Sequence, residues 1–160
     1  SHIYGVEAAI DWRPVDGLTA NLSGTYVKSR IDSFTGYNGT GAYADYAGSA
    51  FPFTPEWQLN GDLQYKWAIG NNWNAMVGTN VNYNSETNST FGDPAILRNN
   101  ARTLVDVRAG IETEDGKLRL QLWGRNIFNE YYWNSTFQAD TVWRMAGRPA
   151  TYGISVGSRY

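Results

Sequence analysis

Apolar and polar residues alternate with a period of two over long stretches, and this alternation constrains the fold of the chain more than any other feature. Between Trp57 and Trp67 the odd positions read Trp, Leu, Gly, Leu, Tyr and Trp, whereas the even positions read Gln, Asn, Asp, Gln and Lys. The stretch from Trp73 to Asn84 repeats the scheme, with four Asn on its polar side. Since successive side chains of a β-strand point to opposite faces, this pattern predicts strands with one apolar face.

The same alternation recurs along the chain and predicts about seven antiparallel strands, at 3–13, 18–30, 56–67, 73–85, 102–113, 117–136 and 149–160. Short turns, such as Glu114-Asp115-Gly116 with its Asp-Gly hairpin signal, alternate with long loops at 31–55, 86–101 and 137–149. This succession is typical of membrane barrels, in which short turns face the periplasm and long loops face outward. In that arrangement the last strand ends on the periplasmic side.

A soluble β-sandwich or small soluble barrel would show the same alternation, so other features must separate it from a membrane barrel. The predicted strands run to eleven residues or more, whereas strands usually have about 5–6. Trp or Tyr begins and ends the apolar stripes at 4–12, 57–67 and 73–83. Ten residue steps of about 3.3 Å, tilted by about 45°, span roughly 23 Å. The apolar band between the aromatic girdles of an outer-membrane barrel is about 25 Å tall.

Charge segregation is a third feature that favours a membrane barrel. The apolar stripes contain no charged residue, and a Lys or Arg that faces lipid near the midplane costs about 2–4 kcal/mol. The following charged residues occupy the opposite face: Glu7, Asp11, Arg13, Glu56, Asp62, Lys66, Asp106, Arg108, Glu112, Arg119 and Arg159. The sequence therefore predicts an all-β protein of antiparallel transmembrane β-barrel strands, whose polar face lines a watery lumen.

Composition narrows the classes of function. The 160 residues include no cysteine and one histidine, His2, so neither a disulfide framework nor a metal site built from Cys or His is predicted. The formal net charge of −2 is too close to neutral to indicate a nucleic-acid-binding protein. Neither a transmembrane helix nor a signal peptide is predicted, because long apolar runs and a basic-then-apolar start are both missing.

Two patterns invite a catalytic interpretation, and neither fits. The segment 153–157 has the Gly-x-Ser-x-Gly spacing of a nucleophile elbow, but it lies in an alternating strand and no histidine follows it. Asp106 and Glu112 share a polar face with Arg108 and Arg119, which favours an ion-pair ladder over an acid–base pair. We therefore predict no enzyme activity, no cofactor and no metal site.

The C-terminal part of the chain carries a distinctive motif. The segment 126–129 reads Asn-Ile-Phe-Asn and precedes Tyr131-Tyr132. This resembles the penultimate strand of TonB-dependent receptors, which carries an Asn-hydrophobic-Phe-Asp/Asn element before an aromatic pair, although this chain has Asn where the family usually has Asp. Their closing strand follows a loop with Gly, Pro and Arg and ends on an aromatic residue, as 147–149 and 152–160 do here. The segment 47–57 is similar to the family's Pro-Tyr/Phe-Thr-Pro passage into a downward strand.

The final strand carries a second resemblance. The residues Tyr152, Ile154, Val156 and Tyr160 alternate back from the C-terminus, which is similar to the signal that the outer-membrane assembly machinery reads. Ser158 departs from that alternation. The same residues also suit a last strand that simply needs a lipid-facing side, and both interpretations can hold together.

The resemblance implies a much larger protein. TonB-dependent receptors have a 22-stranded barrel, an N-terminal plug and a TonB-type energy-coupling complex as partner, so residues 1–160 are expected to be the C-terminal portion of such a barrel, without a plug domain. Expected partners are the lipid bilayer, the remainder of the barrel and plug, and a small-molecule ligand such as an iron chelate, with no nucleic acid. The expected location is the bacterial outer membrane.

Two other functions remain open at the level of sequence. One is a passive porin-like or small structural outer-membrane barrel, which would need an eighth strand within 126–146 to close alone. The other is a soluble β-sheet binding module. Candidate ligand-binding residues are the aromatic and basic residues of the long loops, which stack on ligands or pair with their charges: Phe34, Tyr37, Tyr43, Tyr46, Trp143 and Arg144. Ordinary loop packing explains each of them as well.

Overall fold

The computed structural model describes residues 1–159, and in them seven long strands form one antiparallel sheet. The strands are β1 (His2–Trp12), β2 (Leu18–Arg30), β5 (Trp57–Ala68), β6 (Trp73–Asn84), β9 (Arg102–Thr113), β10 (Leu118–Arg125) and β13 (Thr151–Ser158). They lie side by side in chain order, so β1 and β13 are the two edges. The predicted all-β antiparallel architecture is confirmed, and most predicted boundaries agree within one or two residues.

The ladder registers place the apolar stripes on one face. Leu22 lies opposite both Ile10 and Gly61, and Gly61 lies opposite Val81, so apolar residues continue from strand to strand. We call this surface the apolar face and its reverse the polar face. Because side chains alternate along each strand, one set of registers fixes both faces at once.

The apolar face is not covered by any other part of residues 1–159. Leu59, Leu63, Val77 and Val81 keep 44%, 46%, 47% and 38% of their surface exposed, and Val156 keeps 78%. A soluble sandwich would bury these side chains against a second sheet. Within residues 1–159 the apolar stripes therefore lie on a surface of the sheet and not between two packed sheets.

Three short turns connect the strands at one end of the sheet, at 13–17, 69–72 and 114–117. The first depends on Gly17, whose φ of 82° lies in the left-handed region. A Cβ at Gly17 would lie 2.0 Å from the carbonyl oxygen of Lys66, so a side chain there would force the first two hairpins apart.

Three long loops lie at the other end, at 31–56, 85–101 and 126–150, and each contains a small antiparallel pair. These pairs are β3 (Thr35–Tyr37) with β4 (Tyr43–Asp45), β7 (Thr87–Asn88) with β8 (Arg98–Asn99), and β11 (Trp133–Gln138) with β12 (Val142–Ala146). A 3₁₀ helix, Ala95–Leu97, precedes β8. We call the three loops together the loop layer.

The most deeply buried side chains lie in the loop layer. Leu97 and Thr136 are 1% and 0% exposed. The hydroxyl of Thr136 donates to the carbonyl oxygen of Leu97 at 2.8 Å and lies 2.8 Å from the hydroxyl of Ser89. The third loop is thereby fixed to the second. The other buried apolar residues are divided between the first loop, with Ile31 and Tyr46, and the sheet, with Ala20, Ala75 and Met76.

The predicted strand 117–136 is wrong in its second half. β10 ends at Arg125, because Asn126 and Asn129 adopt left-handed φ values of 48° and 52° and turn the chain out of the sheet. The side chain of Asn126 stabilises this turn, donating to the carbonyl oxygens of Glu130 and Arg148 and accepting from the Glu130 N–H.

The residues after this turn do not supply an eighth strand to the main sheet. β11 and β12 pair only with each other within the described residues, and a bulge between Trp133 and Ser135 interrupts their register. At the C-terminus, β13 begins at Thr151, two residues after Pro149, and ends at Ser158. Tyr160, predicted to end this strand, lies outside the described residues. No helix within residues 1–159 is long and apolar enough to cross a membrane.

Candidate ligand-binding surfaces

The six candidate residues fall into three groups in the structure. Phe34 and Tyr46 lie in one aromatic cluster, and Tyr37 and Tyr43 form a separate pair further out on the first loop. Trp143 and Arg144 lie on β12 in the third loop. The second loop separates the first-loop residues from those on β12, so the six do not converge on a single site.

The cluster of Phe34 and Tyr46 packs against a ring that the sequence did not single out, Phe91. The three ring centroids lie 5.2–6.2 Å apart, within the range of favourable aromatic contacts. Tyr46 is 6% exposed and its hydroxyl donates to the carbonyl oxygen of Ala42 at 2.6 Å. Burial and an internal hydrogen bond give Tyr46 a packing role, because little of its ring can meet a ligand.

Tyr37 and Tyr43 remain accessible. They lie opposite each other on β3 and β4, with ring centroids 5.0 Å apart in an edge-on arrangement. Their side chains are 71% and 64% exposed. These two rings can stack on a ligand without rearrangement of the loop.

Trp143 and Arg144 point to opposite sides of the β11–β12 hairpin, as neighbours on a strand do. The Trp143 ring stacks on Phe137 with an interplanar angle of 7°. The guanidinium of Arg144 lies 5.5 Å from the centre of the Trp133 ring and donates to the carbonyl oxygen of Ile96 at 3.3 Å. Arg144 therefore contributes to the contact between the second and third loops.

A groove of about 550 Å³ separates the first loop from the second. Residues of both loops line it, in the ranges 47–51 and 85–88 together with Glu56, Asp93 and Arg98. A hydrogen bond and ion pair with Asp93 raises the pKa of Arg98 above its already high value, and Glu86 adds to this effect. The single guanidinium of the groove is thus compensated by nearby carboxylates.

The polar face of the sheet carries two groups of ion pairs. Nη1 and Nη2 of Arg108 donate to the two carboxylate oxygens of Asp62, each at 2.8 Å, and Gln64 accepts from the same guanidinium. Glu112, 7% exposed, accepts from Lys66 and from Arg119, the latter at 2.6 Å. The expected ion-pair ladder is present, although Asp106 is not part of it: its carboxylate accepts from the backbone N–H of Asn126.

Sequence analysis missed an aromatic residue on the polar face. Within residues 1–159, Trp123 is the one tryptophan of the main sheet that lies there; the others lie on the apolar face. Its indole N–H donates to the Ser155 hydroxyl at 3.0 Å, and the Arg125 guanidinium lies 5.1 Å from the ring centre. The signal was the i, i+2 spacing of Trp123 and Arg125, which puts both on one face of a strand.

Side chains of the types that can bind a metal ion are dispersed over the described residues. No group of three or more His, Asp or Glu side chains within residues 1–159 lies close enough together to hold a metal ion. The carboxylates of Asp62 and Glu112 on the polar face are engaged by guanidinium or ammonium groups.

The family model described as TonB dependent receptor-like, beta-barrel matches residues 1–127. This range contains β1 to β9 and all of β10, including both ion-pair groups of the polar face. The match confirms the resemblance predicted from sequence, although the motif residues after Ile127 lie beyond the matched range.

Solved structures of similar fold cover nearly the whole chain. BauA, the ferric preacinetobactin receptor from Acinetobacter baumannii, is 20% identical with a TM-score of 0.73, over 96% of this chain and 21% of that one. FyuA, the ferric yersiniabactin uptake receptor from Yersinia pestis, is 17% identical with a TM-score of 0.77, over 96% of this chain and 23% of that one. PiuA, a siderophore receptor from Acinetobacter baumannii, is 16% identical with a TM-score of 0.75, over 99% of this chain and 22% of that one. The chain thus spans about a fifth of the length of these structures, and the likeness concerns the fold.

Proposed function

This chain belongs to the TonB-dependent receptor-like β-barrel family, and from that membership we propose that it forms the C-terminal portion of an outer-membrane receptor for energy-coupled uptake of a small molecule. The observation that carries the proposal is the two-faced sheet. Its apolar face is uncharged along the stripes and exposed, whereas its polar face holds ion pairs that require water or protein around them. In this proposal the apolar face contacts lipid and the polar face lines the lumen.

The proposed orientation puts the loop layer outside the cell and the short turns in the periplasm, with the C-terminus on the periplasmic side. It is supported by the lengths of the connections, since outer-membrane barrels have short periplasmic turns and longer extracellular loops. A plug domain and further strands would come from the rest of the receptor, and the TonB-type complex would act through that plug.

An iron chelate is the ligand class that we propose. Of the three similar structures named above, two are receptors for ferric preacinetobactin and ferric yersiniabactin, and the third is a siderophore receptor. The exposed Tyr37–Tyr43 pair and the groove beside Arg98 offer rings and polar groups for such a ligand on the extracellular side.

An uptake assay with the full-length receptor tests this function. Cells that express the receptor as their only route for iron chelates would be supplied with a panel of radiolabelled ferric chelates. We expect saturable uptake of at least one chelate, and its loss when the energy-coupling complex is deleted. Uptake that persists without that complex would instead indicate a passive pore.

Cysteine labelling tests the orientation, because the chain has no native cysteine. Ala139→Cys is at the exposed tip of the β11–β12 hairpin, and Asn71→Cys is in an exposed short turn. A membrane-impermeant maleimide added to intact cells should label Cys at 139 and not at 71. The reverse pattern would overturn the proposed orientation.

A further inference from the structure

Arg125 lies on the polar face, at the end of β10 next to the loop layer. The ring of Trp123 lies against the backbone of Gly153, where a Cβ would come within 2.3 Å of Cζ2 of the indole. Only glycine leaves room for the ring in this position. The hydrogen bond from the indole to Ser155 then fixes the orientation of the ring, and Arg125 lies over it.

Within residues 1–159, Arg125 forms no ion pair, whereas its neighbours on the polar face do. On the same face, Arg108 is bound by Asp62 and Arg119 by Glu112. Arg125 has no carboxylate within 4.0 Å among residues 1–159 and remains exposed. On the neighbouring strand, Asp106 is one step beyond the Gly124–Val107 pair and so lies at the level of Arg125. One of its carboxylate oxygens accepts from the Asn126 N–H.

A guanidinium held over an indole is well suited to bind an oxyanion. It has five N–H donors in a planar fork, it stays charged at all relevant pH values, and stacking on an aromatic ring reduces the side-chain freedom lost on binding. We propose that Arg125, positioned by Trp123, binds an anionic group of the transported small molecule at the mouth of the lumen. This inference rests on the proposed receptor function and names the ligand chemistry as oxyanionic.

The test uses citrate as the probe and the full-length receptor in detergent. Citrate binding is followed by tryptophan fluorescence, and subtraction of the Trp123→Phe signal isolates the response of Trp123. The variants are Arg125→Gln, which removes the charge, and Arg125→Lys, which keeps the charge without the planar fork. Lys28→Gln is the matched control, because it removes a positive charge from the other face of the sheet.

We expect saturable citrate binding to the wild type and a roughly tenfold or larger loss of affinity in Arg125→Gln, since a charge-assisted hydrogen bond is removed. Arg125→Lys should lie between the two, and Lys28→Gln should match the wild type. Higher salt should weaken binding to the wild type, since partly exposed charges are screened. Equal binding by wild type and Arg125→Gln, or no saturable binding to the wild type, would overturn the proposal.

A second measurement separates a ligand site from a structural contact. If Arg125 instead pairs with a carboxylate elsewhere in the receptor, Arg125→Gln should lower the unfolding temperature and leave citrate binding unchanged, which would also overturn the proposal. The result is independent of the uptake assay. If Arg125→Gln loses citrate binding and the wild-type receptor takes up no iron chelate, the anion site is upheld and iron chelates are rejected as the ligand class.

Discussion

At the scale of single residues, the polar face shows how a sheet with water or protein on one side accommodates charge. Arg108 and Asp62 are 24% and 28% exposed, and both carboxylate oxygens are used by one guanidinium. The Arg108 side chain extends across Gly78, where a Cβ would come within 2.9 Å of the guanidinium carbon. The missing side chain at Gly78 therefore lets Arg108 reach two strands away.

Removal of Asp62 should destabilise the receptor. Asp62→Ala leaves Arg108 partly buried without its bidentate partner, and we expect a loss of about 1–3 kcal/mol in the free energy of unfolding. The temperature at which the full-length receptor loses its heat-modifiable electrophoretic mobility measures the effect. Asp140→Ala, an exposed position in the β11–β12 hairpin, is the control and should leave that temperature unchanged. Equal effects of the two substitutions would contradict a structural role for the pair.

Sequence reasoning placed both charges on the correct face but did not pair them. Asp62 and Arg108 are 46 residues apart, and their contact depends on the registers of β5, β6 and β9 together. Alternation fixes the face of a residue, whereas the register is fixed by the turns and by the whole ladder. The same limit explains why Tyr46 was predicted as a ligand contact: its burial under Phe34 and Phe91 arises from packing between loops.

At the scale of elements, each strand should tolerate a charge on one face and not on the other. Leu63→Lys places a charge at the middle of the β5 apolar stripe, and we expect a cost of about 2–4 kcal/mol in the free energy of folding into lipid vesicles. Gln58→Lys, an exposed position on the polar face of the same strand, should fold nearly as well as the wild type. Similar folding of both variants would show that the apolar face does not meet lipid.

The turn between β9 and β10 should open at low pH. The Thr113 hydroxyl and then the Lys117 N–H hold the pKa of the Asp115 carboxyl below its ordinary value. A carboxyl with a lowered pKa stabilises the fold above its unfolded pKa, and the stabilisation is lost as pH falls through the lower folded value. We therefore expect protection of the Lys117 amide from hydrogen exchange to fall below about pH 4.

The matched variant for this turn is Asp115→Asn, which keeps a side-chain oxygen as acceptor but has no proton to gain. Protection of the Lys117 amide in this variant should not depend on pH between about pH 3 and 6, the range in which an Asp carboxyl titrates. A parallel fall in wild type and Asp115→Asn would mean that another group opens the turn.

The strands were predictable because alternation is a local signal, and the exception shows its limit. The predicted strand 117–136 joined β10 to β11 through residues that are polar and aromatic but not alternating. Asn tolerates the left-handed region better than most residues, so Asn126 and Asn129 were the available signal for a turn. The β3–β4 and β7–β8 pairs were not predicted, since two or three residues per strand give too short a pattern. The strands β11 and β12, with six and five residues, fell in the predicted strand 117–136 and the predicted loop 137–149.

At the scale of the whole molecule, the three long loops form one packed layer. The Asn38 side chain donates to the Phe91 carbonyl oxygen at 3.1 Å, and the Gly39 N–H donates to the Thr90 hydroxyl at 2.6 Å. Thr136 then connects the second loop to the third. The second loop therefore lies at the centre of the layer, and a change in it reaches both neighbours.

Loss of the Thr136 hydroxyl should loosen this layer. Thr136→Val keeps the shape of the side chain but removes one of the two donors to the Leu97 carbonyl oxygen, which still accepts from the Ser89 N–H. We expect a cost of about 0.5–1.5 kcal/mol for the lost hydrogen bond. We expect faster cleavage within 85–101 and 126–150 when a protease is added to intact cells. Thr141→Val, exposed in the β11–β12 turn, is the control. Unchanged cleavage in Thr136→Val would show that the loops are held by other contacts.

The two edge strands determine what this sheet requires from its surroundings. β1 and β13 each direct a row of backbone N–H and C=O groups away from the sheet, along 11 and 8 residues respectively. Hydrocarbon is a solvent that can neither donate to nor accept from these groups, and each one left bare there costs several kcal/mol. In a bilayer, this seven-stranded sheet therefore requires a hydrogen-bonding neighbour at each of its two edge strands. This requirement comes from the backbone of β1 and β13, so it does not depend on which side chains the neighbouring strands carry.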